Sequence, residues 1–99
     1  MDRTVKVENG RFTVYDEIGN IVFSGGLYIK QAVICDDKVV AVNEHGYIEE
    51  YPCAFAGNCT KGYGHGIKRI LQVSGNTVIA QGQNDLTEEY EDGILQRSY

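Results

Sequence analysis

Two cysteines and a histidine recur at even intervals in one short stretch: Cys53, Cys59 and His65, with five residues between each. Zinc takes four such ligands in a tetrahedron, usually with paired cysteines two to four residues apart. The intervals here are wider, and a fourth ligand would have to come from His45 or Cys35. A Cys53–Cys59 disulfide is a second reading, one that needs an oxidising compartment. A third is a thiol nucleophile with His65 as its base. That chemistry needs a stabilised thiolate and a group that orients the imidazole. The sequence shows no such group and no oxyanion donor. The plain reading is small side chains that pack a loop onto a sheet. No catalytic residue, metal or cofactor is assigned, and the chain is read as non-enzymatic.

A second constellation suits contact rather than catalysis. Asp85, Glu88, Glu89, Glu91 and Asp92 crowd the last fifteen residues, and there are seven tyrosines and no tryptophan. Tyr47, Tyr51, Tyr63, Tyr90 and Tyr99 fall at the ends of expected strands or in a loop. Rigid amphipathic rings in such places favour protein contacts. The expected binding surface is Tyr47, Tyr51, Tyr63, His65, Asp85, Glu88, Glu89, Tyr90, Glu91 and Asp92. Its expected partner is another protein. The acidic run would suit mimicry of phosphates, although charge runs usually mark a solvated face. A net charge of −5 and a pI near 4.9 speak against direct nucleic-acid binding, which needs clustered Lys and Arg. Arg3, Lys30 and Lys68 recur before three expected strands. They read as edge-strand charges or, more sharply, as a ring that binds an anion.

The elements that must position these residues come from a pattern met three times. Residues 5–24, 32–51 and 70–89 align without a gap. Each has a short apolar-rich stretch, a two-residue turn (Asn9-Gly10, Asp36-Asp37, Ser74-Gly75) and a β-branched run. A second turn follows, then an aliphatic residue (Ile21, Ile48, Leu86). Asn-Gly is the strongest short hairpin signal, because a type I′ turn needs positive φ twice. Leu27–Ile34 reads as a central strand, and Asp92-Gly93 as a hairpin into Ile94–Tyr99. Pro52–Gly66, with four glycines, reads as an irregular insertion and the functional surface. A fixed repeat sets the fold: all-β, antiparallel meanders of three strand-turn-strand units, in one domain over residues 1–99. The units are propeller-blade-like or form a small barrel or sandwich.

The order of strands and turns is similar to blades of kelch and WD propellers, without their Gly-His and Trp-Asp signatures. Lys61-Gly62-Tyr63-Gly64-His65-Gly66 resembles the Lys…Tyr-Gly-His-Gly segment of alanine racemases. The likeness covers six residues, the Lys-to-Tyr gap is shorter, and that family needs a large barrel that this chain is too short to build. A small acidic β-protein also resembles, in style, phage inhibitors of host defence such as anti-CRISPR proteins, with no shared motif. The expected function is therefore a non-catalytic protein-binding module, possible as such an inhibitor. Alternatives are a metal- or thiol-dependent protein using Cys53, Cys59 and His65, and a structural subunit or homo-oligomer assembling through edge strands. Without an apolar leader or a membrane-length apolar run, the expected address is the cytoplasm, with no membrane partner.

Overall fold

The computed structural model describes residues 3–35, 37–52 and 59–99. They form three antiparallel sheets. The first holds β1 (Thr4–Glu8), β2 (Arg11–Tyr15) and β3 (Ile21–Gly25). The second holds β4 (Ile29–Cys35), β5 (Lys38–Asn43), β6 (Ile48–Pro52) and β7 (Lys61–Tyr63). The third holds β8 (Arg69–Ser74), β9 (Thr77–Gln81), β10 (Thr87–Glu91) and β11 (Ile94–Ser98). Each sheet is a meander, with strands side by side in chain order. The expected all-β, blade-like architecture is present.

The sheets stack with the second in the middle. Phe12, Val14 and Phe23 of the first sheet cluster with Val39, Ala41 and Tyr51 of the second. Val40, Val42 and Ile48 on the opposite face cluster with Ile70, Val78, Ala80 and Tyr90 of the third. Successive strand side chains point to opposite faces. A strand covered on both sides therefore loses the polar half of its alternation. That is why β5 reads Val-Val-Ala-Val, with all four side chains sealed from solvent. The two end sheets keep the alternation. Cross-strand rows Lys6–Thr13–Ser24 and Gln72–Ile79–Glu89–Arg97 lie on their outer faces.

The structure places the repeat at another offset. From β5 to β6 and from β9 to β10 the shift is 39, so that Val39 matches Val78 and Tyr51 matches Tyr90. Ile48, buried, therefore matches Thr87; Leu86 is exposed. The first sheet differs more. Ile29 N–H donates to Gly10 O at 2.8 Å, as Ile67 N–H donates to Gly46 O at 2.9 Å. Gly10 lies in the β1–β2 turn, but Gly46 lies in the β5–β6 turn. Gly26 (φ +86) and Gly64 (φ +85) each turn the chain where a Cβ would strike the next isoleucine, Ile29 or Ile67. By these matches β1, β2 and β3 correspond to β5, β6 and β7. The first sheet has no counterpart of β4.

Two further expectations change. β4 is the edge of its sheet, not an internal strand, and β5 is the fully covered one. The supposed insertion contains β7, which pairs Ile48 with Tyr63 and Glu50 with Lys61. Three residues with a central glycine are too short and too Gly-rich to announce a strand. Arg3, Lys30 and Lys68 do not occupy matching places, since Arg3 precedes a strand of the second type. Lys68 Nζ binds Asp85 at 2.8 Å.

Candidate functional site

The turns that follow β1, β5 and β9 meet the links between sheets at one end of the stack. Asn43 sets the middle turn. Its side-chain oxygen accepts the N–H groups of His45 (3.0 Å) and Tyr47 (3.1 Å). An Asn at this place folds the chain by mimicking a backbone turn. Glu44 N–H donates to Tyr28 O at 2.7 Å, fastening the first link beside it. Gly46 permits the second link to approach: a Cβ there would lie 3.0 Å from the backbone of Gly66. Gly66 in turn lies against the Gln83 side chain of the third turn.

The side chains raised on this frame are Leu27, Tyr28, His45, Tyr47, His65 and Leu86, all exposed. Tyr28 packs on His45 with ring centroids 5.8 Å apart, and Tyr47 on His65 at 6.2 Å. Tyr28 is 59% exposed and Tyr47 44%. Tyr28 also holds φ +56, the left-handed region that a tyrosine seldom adopts. Its match in the second link is Gly66, at φ +64. The result is a row of half-stacked aromatic and imidazole rings on a fixed backbone. It can make apolar, hydrogen-bonding and stacking contacts; it holds no nucleophile.

Of the residues expected from sequence, Tyr47 and His65 stand in this row. Leu27, Tyr28, His45 and Leu86 were missed; the turn residues Glu44-His45-Gly46 gave the only signal for that end of the molecule. Tyr51 and Tyr90 are not surface anchors but core, 3% and 5% exposed. Tyr51 rings Phe12 at 4.8 Å and donates its O–H to Glu49 at 2.6 Å. Tyr90 packs on Tyr63 at 5.1 Å and donates to Glu88. Tyr63, half-buried, donates to Glu50, whose buried carboxylate also meets Lys38 Nζ at 3.4 Å. Desolvation first, and the neighbouring carboxylate second, push all three phenols well above the usual tyrosine range.

Strand alternation splits the acidic run. Glu88 shares a face with Tyr90, whereas Glu89 lies on the other and meets Arg97 at 3.1 Å. Asp85 is held by Lys68, which lowers its carboxyl below the usual range, and Asp92 reaches Lys61 at 4.0 Å. Glu91 is exposed. Cys53 lies outside the described residues, and with it the disulfide reading. Cys59 donates its Sγ–H to Lys61 O at 3.1 Å. Its thiol is pushed up by desolvation of the sulfur and then by Glu49, the opposite of nucleophile activation. Among the described residues no three His, Cys, Asp or Glu side chains gather to hold a metal. No helix among them is long and apolar enough to cross a membrane.

No family model matches this chain. No curated protein matches it either. Among solved structures it is similar to BamB from Moraxella catarrhalis, a β-propeller, with a TM-score of 0.78 and 19% identity. The match covers 98% of this chain and 33% of that one. The chain thus spans a third of the length of its structural neighbour, and the likeness shows a shared fold: these three sheets are arranged as blades of a propeller.

Proposed function

We propose that the chain is a non-catalytic module that binds another protein through the ring row Tyr28–His45–Tyr47–His65 and its flanking leucines. The exposure of these rings on a rigid frame is the observation that carries this reading. Exposed aromatic groups cost solvation, and contiguous ones mark contact surfaces. Tyrosines bring large contact area with little entropy to lose on docking. Adjacent blades present their turns at one end, which is what makes the row continuous.

A narrower reading is an inhibitor that occupies a host nucleic-acid-handling or defence protein. It needs contiguous negative charge, and Asp85, Glu89 and Asp92 each face a basic side chain. The broader module is therefore the reading carried here. The test pairs the wild type with Tyr28→Gly/Tyr47→Ser. Tyr28→Gly suits the left-handed backbone at that position. Partners captured from the native host lysate are expected to be lost in the double variant at unchanged Tm. Retention of the same partners, or turnover of small molecules at wild-type rate by both proteins, overturns it.

A further inference from the structure

We infer that the free edge of β1 accepts an extended peptide segment from a partner protein as a fourth strand of the first sheet. The inference does not rest on the ring row. β1 corresponds to β5, and in the second sheet that neighbour's place is filled by β4. There Val40 and Val42 pair with Val33 and Gln31. Their counterparts in β1 are Val5 and Val7. A two-residue hairpin closes on a hydrogen-bonded pair, here Glu8 with Arg11. Pairs then alternate, so the N–H and C=O groups of Val5 and Val7 point away from β2. Among the described residues no hydrogen bond reaches them from that side.

The β8 edge in the third sheet shows how this protein treats such groups when they are to stay closed. The Gln31 side chain donates to Ile70 O (3.0 Å) and accepts from Ile70 N–H (2.7 Å), plugging the edge. No side chain does this for β1. Val5, Val7, Ala32 and Ile34 are all half-buried at the border of the place a strand would take. An added strand would gain backbone hydrogen bonds and cover these four.

The edge also specifies the guest. Residues opposite Val5 and Val7 face the apolar border, and the residue between them lies opposite Lys6 on the solvent side. The fitting segment is apolar–acidic–apolar. A second copy offering its own β1 about a two-fold centred on Lys6 would set Lys6 against Lys6, and like charges directly opposite are unfavourable. The occupant is therefore a partner's strand.

The probe is a labelled peptide with the sequence of Ile29–Cys35 carrying Ala32→Glu and Cys35→Ser, compared with the same peptide carrying Ala32→Lys. The acidic peptide is expected to saturate the 99-residue chain below about 1 mM. It should bind about two- to fivefold more tightly than the basic one. Lys6→Glu, an exposed change, should reverse the order. Amide exchange at Val5 and Val7 should slow on binding, with Lys6 unchanged. Absence of saturation, an order indifferent to Lys6→Glu, or protection elsewhere overturns the inference. So does protection of Val5 and Val7 without peptide that disappears on dilution, which would make a second copy the occupant.

Discussion

The middle sheet and the end sheets solve opposite problems with the same meander. β5 offers no polar face, and its neighbours cover it on both sides. The end sheets bury one face each and turn Lys6, Thr13 and Ser24, or Gln72, Glu89 and Arg97, outward. A stack of blades needs polar terminal faces, because each unit is stabilised only by its neighbours. The difference teaches where stability is concentrated: at the two interfaces flanking β5.

The sharpest way to break that comparison is in the core. Ile48→Ala should cost about 2–5 kcal/mol in chemical denaturation, as large-to-small changes in sealed sites do. Ile94→Ala, on an exposed end strand, should stay within about 0.5 kcal/mol. Equal losses would refute the concentration of stability at the flanks of β5. The same contrast holds for charge. Glu50→Ala leaves Lys38 and the Tyr63 hydroxyl without their buried acceptor and should cost about 1–3 kcal/mol. Glu89→Ala breaks an exposed pair with Arg97 and should cost under about 1 kcal/mol.

Glycines sharpen the matching of turns. Gly19 and Gly46 both hold left-handed φ, +92 and +87, but only Gly46 has a backbone within reach of a Cβ. Alanine at either should cost about 1–2 kcal/mol for the conformation. Gly46→Ala should lose measurably more in Tm, because Gly66 must retreat; equal Tm values would show that the approach is loose.

The smallest effect is set by pH. Tyr51, Tyr63 and Tyr90 have folded pKa values raised above the ordinary 10.0. A raised pKa means the folded state holds the proton more tightly, so the stabilisation is complete below pH 10 and declines as pH rises above it. Thermal melts should therefore be flat through neutral pH and fall above about pH 10. Tyr63→Phe should flatten that fall; an unchanged slope would remove the Tyr63–Glu50 bond from the account.

Much of this fold was legible in residue order, because hairpin turns such as Asn9-Gly10 and Asp92-Gly93 need positive φ at both central positions and few other residues supply it. Strand identity was less so. A gapless alignment put β1 with β4, since both precede a two-residue turn. The correspondence with β5 appears only in the Ile29–Gly10 and Ile67–Gly46 hydrogen bonds, which are long-range. The site was legible in residue type and not in direction. Tyr51 and Tyr90 were singled out as rings near carboxylates, which they are, but alternation turned them into the core. Tyr28 was not singled out, because nothing local distinguishes a tyrosine at φ +56 from one in a strand.

The wholly apolar stretch in β5 carries a liability. Val39–Val42 combines high β-propensity with no charge and no proline, the makeup of segments that nucleate amyloid-like stacking. In the folded molecule both faces are covered. Should either end blade detach, one face is bared while the strand remains extended and paired, already shaped to recruit another chain. Loss of solubility on heating should therefore precede complete loss of strand structure, and the polar end blades act as the molecule's guard against precipitation.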